Sequence, residues 1–147
     1  MFNHYLTARI SDGVLHRVLS GDVMAKWPFG GMFVATDLEA EQRRFDAREI
    51  IPAGPIYGRK MFASAAEASA REARTLEDAG LTPAAFNGFG KLLSGTRRYT
   101  LVYVDDLTGA VEPDGVRLAF TLPSGSYATV LVRELTHLDA AGGEEAD

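Results

Sequence analysis

The chain has 147 residues, 46% of them hydrophobic and 24% charged, with no cysteine and a formal net charge of −5. That composition is globular rather than disordered, and the length suits one ordinary domain or part of a larger one. It excludes a disulfide framework and a thiolate metal site, and the acidic balance argues against a generically basic nucleic-acid binder.

At the N-terminus, Met1-Phe2-Asn3-His4-Tyr5 has neither the basic start nor the apolar stretch of a signal peptide, and no apolar run later in the chain reaches bilayer-spanning length. A cytoplasmic protein is expected. Phe2, Leu6 and Ile10 recur at helical spacing, which predicts an amphipathic helix closed by Asp12-Gly13. A helix that starts almost at Met1 is the expected beginning of a fragment. Val23–Trp27 and Met32–Ala35 read as short strands about a Pro-Phe-Gly-Gly turn. Thr36 and Glu39 have capping-box spacing, so a helix with Leu38 and Phe45 on its apolar face should begin there. Ile50-Ile51 is extended and is expected to lose regularity at Pro52, giving way to an ordered loop over Ala53–Lys60. Ser64 and Glu67 form a second capping box before an alanine-rich helix ending near Ala79, and Thr82-Pro83 opens a shorter one. Tyr99–Val104 reads as a strand. Val116, Leu118, Phe120 and Leu122 alternate with polar or small residues, which predicts a second strand with one buried face. Ser126 is placed to cap a final helix carrying Tyr127, Val130, Leu131, Leu135 and Leu138, and Ala140 to Asp147 is expected to be a disordered acidic tail.

Charge is unevenly spread. Residues 54–98 carry seven basic and four acidic side chains, whereas residues 99–147 carry two and nine. Three stretches carry more chemical character than packing demands. The loop ending in Arg59-Lys60 offers two cations to a phosphate backbone, or is simply a rigid connection with solvated ends. Lys91 and the paired Arg97-Arg98 flank a small turn-forming stretch, and either bind phosphate or salt-bridge a strand entry. Leu122 to Thr129 joins a strand to a helix N-terminus; its Ser126, Tyr127 and Thr129 suit an anion or a base, or an ordinary turn. His4, His16 and His137 are too scattered for a metal site, and no serine-nucleophile elbow or phosphate loop is present. No metal and no cofactor are called for.

Together these stretches resemble the TruD family of tRNA pseudouridine synthases. Phe120-Thr121-Leu122-Pro123-Ser124-Gly125-Ser126-Tyr127-Ala128-Thr129, followed by Arg133-Glu134-Leu135, is similar to the family's C-terminal signature. Ala53-Gly54-Pro55-Ile56-Tyr57-Gly58 resembles its Gly-Pro-x-x-Gly loop, and Gly95-Thr96-Arg97-Arg98 its paired-arginine entry into the last sheet. Phe2-Asn3, Gly21-Asp22 and Phe33-Val34-Ala35 fall in the family's order, so the likeness covers roughly residues 2–138. The resemblance implies a mixed α/β (α+β) chain. Residues 1–98 would be most of the TRUD insertion domain, and residues 99–139 the last strands and helix of the catalytic sheet. It implies an isomerase that turns one tRNA uridine of the D-arm region into pseudouridine without metal or organic cofactor, on a nucleotide flipped from its stack. The family's catalytic aspartate sits in an N-terminal motif that is not found here, so no catalytic residue is carried over. The expectation is a fragment inactive by itself, with tRNA as partner, no membrane, and self-association through unpaired sheet edges. The alternative is a stand-alone, catalytically inert RNA-binding module. RNA contacts are expected from Arg59, Lys60, Lys91, Arg97 and Arg98 to phosphates, with Ser126, Tyr127 and Thr129 near the flipped nucleotide.

Overall fold

A computed structural model describes residues 1–28, 30–87 and 92–136 and divides the chain into two compact units, Met1–Val102 and Tyr103–Asp147. The first unit runs α1 (Phe2–Ser11), β1 (Val23–Lys26), β2 (Met32–Val34), α2 (Leu38–Asp46), β3 (Ile50–Ile56), α3 (Ala66–Asp78), a 3-10 turn (Pro83–Phe86) and β4 (Thr96–Tyr99). Its antiparallel sheet has the order β2-β1-β3-β4. The inner strands are the apolar ones: Met24, Ala25, Ile50 and Ile51 are fully buried. Val18, Met24, Ala35, Phe45 and Ile50 form the core, closed by Phe33 and Leu101.

The short N-terminal strands and the first helix lie where expected, but the helix buries Tyr5 and Arg9, while Ile10, expected on its apolar stripe, is exposed. Three local readings are corrected. Regular structure does not stop at Pro52; β3 continues through Pro55 to Ile56. Proline removes a donor but keeps its carbonyl, and Pro52 O accepts both the amide and the hydroxyl of Thr100 at 3.0 Å. The cap of α2 is Asp37, whose carboxylate accepts from Ala40 N at 3.0 Å, while Glu39 is taken by Arg43 one turn on at 2.6 Å. At α3 no side chain caps the first turn. Instead Ala65 N and Ala68 N each donate at 3.0 Å, to Gly21 O and Ser20 O. The backbone of that turn replaces the Ser64–Glu67 box. Gly21 makes the contact possible: its φ is +79°, and a Cβ there would fall 1.9 Å from Ala65 O.

The second unit is a hairpin of β5 (Thr108–Glu112) and β6 (Gly115–Ala119), then α4 (Ala128–Thr136). Strand β5 carries little sequence signal, because Gly109 and Ala110 hide the alternation that marks a strand. The later strand ends at Ala119, short of Leu122, and Val116 is exposed rather than buried. The strand expected over Tyr99–Val104 is found earlier, at Thr96–Tyr99, where the arginine pair itself enters the ladder. Helix α4 begins at Ala128, and Ser126 N donates to Pro123 O at 3.1 Å in the turn before it. Lys91, His137, Leu138 and the acidic tail lie outside the described residues. No described helix is long and apolar enough to cross a membrane, and no described cluster of His, Asp and Glu could hold a metal ion.

Candidate nucleic-acid interface

In β4 the register sets Gly54 opposite Arg98 and Pro55 opposite Arg97. Neighbouring residues of a strand point to opposite faces, so the two arginines part company. Arg97 turns inward. Its side chain is fully buried and donates to both carboxylate oxygens of Glu72 on α3 (2.5 and 3.2 Å), to Phe62 O and to Ala53 O. The expected phosphate contact of Arg97 is therefore corrected. Its guanidinium is spent fastening β4 to α3, and packing does ask for it. Arg98 is exposed, with its guanidinium carbon 5.2 Å from the centre of the Phe2 ring. Phe2 reaches that position because Gly54 has no side chain; a Cβ there would fall 2.9 Å from the Phe2 ring and 3.1 Å from Tyr5.

Arg59 and Lys60 are both exposed, just beyond β3. The loop that carries them is pinned to the segment before β4 by direct backbone contact. A Cβ on Gly58 would lie 2.2 Å from Gly95 N, and Lys60 N donates to Ser94 O at 2.6 Å. Two glycines thus hold the Arg59-Lys60 loop against the turn that leads to Arg98. The two basic stretches, apart in sequence, become one region of the first unit.

Sequence reasoning missed the polar interior that keeps this region rigid. Arg9, fully buried, makes a bidentate pair with Asp22 (2.7 and 2.6 Å) and also donates to Tyr5 Oη and Arg17 O. Asp22 accepts from Leu19 N as well, at 2.8 Å. Burial opposes the charge on Arg9, but the hydrogen bonds and charge of Asp22 outweigh it, and its pKa is raised. The Gly21-Asp22 pair was legible as a motif; its buried arginine partner was not, because ion pairs leave no periodicity. Tyr57 was also missed. It is buried, its hydroxyl donates to Glu72 O at 2.8 Å, and burial pushes its pKa up to about 12. Phe86 stacks on it at 5.8 Å between centroids.

In the second unit, Tyr127 is 65% exposed and Thr129 is exposed, with Ser126 half-buried at the start of α4. Five of the aspartates have partners within the fold. Asp22 holds Arg9, Asp37 caps α2, Asp12 pairs with Arg71 and Asp46 accepts from Gln42. Asp106 accepts from Thr121 N at 2.9 Å, and hydrogen bonding from Thr121 lowers its pKa.

A family model described as tRNA pseudouridine synthase D (TruD) matches residues 1–135. The tRNA pseudouridine synthase D of Anaeromyxobacter dehalogenans strain 2CP-1 is 44% identical over 149 residues, covering 100% of this chain and 42% of the relative. That of Geobacter sulfurreducens is 38% identical, covering 92% and 33%, and that of Thermus thermophilus 34% identical, covering 100% and 40%. The crystal structure of a putative tRNA pseudouridine synthase D from Methanosarcina mazei superposes with a TM-score of 0.75 at 25% identity, over 94% of this chain and 36% of that one. The chain spans about two fifths of the length of the first of these relatives.

Proposed function

Because this chain belongs to the tRNA pseudouridine synthase D family, we propose that it takes part in isomerising a tRNA uridine to pseudouridine, holding the RNA and supplying no catalytic side chain. The reaction breaks the bond from C1′ to N1 of the base and forms one from C1′ to C5; C5 loses its proton to solvent or a base and N1 gains one, with no net redox change and no cofactor. The observation that carries this reading is the family match over residues 1–135. The fates of Asp12, Asp22, Asp37, Asp46 and Asp106 support the second half of it, since each already serves the fold.

Residues 1–98 correspond in this reading to the TRUD insertion domain, and residues 99–139 to the end of the catalytic sheet. Arg59, Lys60 and Arg98 contact tRNA phosphates, joined by Lys91; Ser126, Tyr127 and Thr129 lie near the target nucleotide. Arg97 is withdrawn from that set. The work is done in the cytoplasm. The open strands of the second unit drive self-association when nothing covers them.

Binding of an unmodified tRNA transcript to the 147-residue chain, followed over a range of salt, tests the reading. Each phosphate contact adds roughly 1 to the slope of log K against log salt. Replacing Arg59, Lys60 and Arg98 with alanine together should weaken binding to all RNAs alike and lower that slope by about 3. Unchanged affinity and slope in a folded triple variant would reduce the basic region to solvated surface. Pseudouridine formed by the chain alone above a no-enzyme control would show that a catalytic residue has been overlooked.

A further inference from the structure

Beside the Arg59-Lys60 loop lies a concavity of about 450 Å³, within the first unit, which the isomerase reading leaves unused. That volume falls in the range of small-ligand sites, roughly 300–1,000 Å³. Tyr57, Arg59, Ser69, Ala73, Phe86 and Asn87 are among its lining residues. Tyr57 forms a fixed wall, held by its bond to Glu72 O, and Phe86 lies nearly parallel to it at an interplanar angle of 19° while remaining half-buried. Ala73 on α3 lines the same space with only a methyl group.

Charge decides what such a space would take. Glu72 lines it too, but both its oxygens are bonded to the buried Arg97, so its charge is cancelled locally. Arg59 is exposed and makes no ion pair among the described residues, which puts a cation on the lining. Asn87, next to Phe86 in sequence, also lines the space, and its side-chain amide can both donate and accept. An aromatic face, a bidirectional amide and a cation on the lining are the three requirements of a nucleotide: stacking for the base, pairing for its edge, and a counter-charge for its phosphate. A base still stacked within a helix cannot enter a space of this size.

We propose that this pocket receives one unstacked nucleotide of the bound RNA, with its base against Phe86 and Asn87 and its phosphate on Arg59. This rests on the RNA-holding role proposed above and adds a base-contacting site to it.

The test uses the full chain and an oligouridine of about eight nucleotides, with the tRNA transcript measured in parallel. Phe86→Leu, which keeps an apolar side chain against Tyr57, should weaken oligouridine binding about 5-fold or more without changing the salt slope, and Phe86→Trp should restore it. Asn87→Ala, at an exposed position, should cost a few-fold. Uridine monophosphate should compete with the oligouridine, and inorganic phosphate at the same concentration should not. If Phe86→Leu and Asn87→Ala both bind like the unsubstituted chain while tRNA binding keeps its salt dependence, the pocket proposal falls and the phosphate-holding surface stands. If phosphate competes as well as uridine monophosphate, the site is an anion site at Arg59 alone and the base pocket falls. If the chain binds neither RNA, both readings fall together.

Discussion

The two units differ in what holds their polar and apolar groups. In Met1–Val102, two arginines go inside and are paired there, Arg9 with Asp22 and Arg97 with Glu72. Between Tyr103 and Thr136 no described residue is buried, and Val111 and Val116, paired across the hairpin, are 89% and 64% exposed. A buried ion pair raises the cost of any rearrangement that separates its members, because each charge would then be desolvated without compensation. The first unit is therefore committed to one packing, and its surface cations are offered from a fixed frame. The second presents apolar side chains that its own elements do not cover.

The sharpest way to break this contrast is to remove one side of a buried pair. Asp22→Ala leaves the Arg9 guanidinium buried with only Tyr5 and Arg17 O as partners, and also deprives Leu19 N of its acceptor. A loss of about 3–5 kcal/mol is expected, enough to consume much of a small domain's stability. The single tryptophan, Trp27, belongs to the first unit and packs edge-on to Tyr99 at 5.8 Å, so its fluorescence during urea unfolding reports the right unit. A loss under about 1 kcal/mol would mean that the pair is solvated and that the first unit is no more committed than the second.

The same contrast governs how much was legible in the sequence. The apolar inner strand β1 was found where expected, and so was the span of α1, though its buried face is Tyr5 and Arg9 rather than the stripe of Phe2, Leu6 and Ile10. Elements defined by a partner were not. Pro52 and Pro55 signalled a break, yet β3 passes through both: the Pro52 carbonyl accepts from Thr100, and Pro55 keeps its register opposite Arg97. Ser64 and Glu67 signalled a cap, yet the turn at Ser20-Gly21 does that work from more than forty residues away in sequence. At the candidate site, Arg59, Lys60 and Arg98 were legible as surface cations. Arg97 was misread with them, because a doublet of identical residues conceals that strand alternation sends its members to opposite faces. The pocket at Tyr57 and Phe86 was illegible, since nothing in either residue's neighbourhood predicts that the two rings meet.

A smaller effect sharpens the description of the first unit's interior. Tyr57 is ordinarily expected to ionise near 10, and burial pushes it up to about 12. The fold thus favours the neutral phenol. Its contribution to stability is fully present below pH 10 and is lost as pH rises through 12. Tyr5 is shifted in the same direction, again mainly by burial. Tyr57→Phe removes the hydroxyl that donates to Glu72 O and should cost about 1 kcal/mol at neutral pH. It should also flatten the fall of stability between pH 10 and 12, leaving the part due to Tyr5. Identical alkaline profiles for the two proteins would show that Tyr57 ionises freely and that its hydroxyl is not enclosed.

The smallest expected effect on stability concerns the second unit, and it comes with a larger one on association. Val111 and Val116 sit directly opposite each other in the hairpin and are mostly exposed. Replacing them with Lys and Glu (Val111→Lys with Val116→Glu) removes apolar surface from water while setting opposite charges across the strands. Surface changes of this kind usually stay within about 0.5 kcal/mol, so the Trp27 transition should not move. Association is a different matter, because an exposed hairpin with open edges and uncovered valines is a template for a second copy, and charges in place of those valines oppose that pairing. Sedimentation velocity over a range of concentrations should show the unsubstituted chain shifting to larger species and the double variant remaining a monomer. If association is unchanged, the hairpin is not the surface that mediates it. If instead the Trp27 transition drops by more than about 1 kcal/mol, these valines are supporting the first unit's packing, and the division between a committed unit and an uncovered one is drawn in the wrong place.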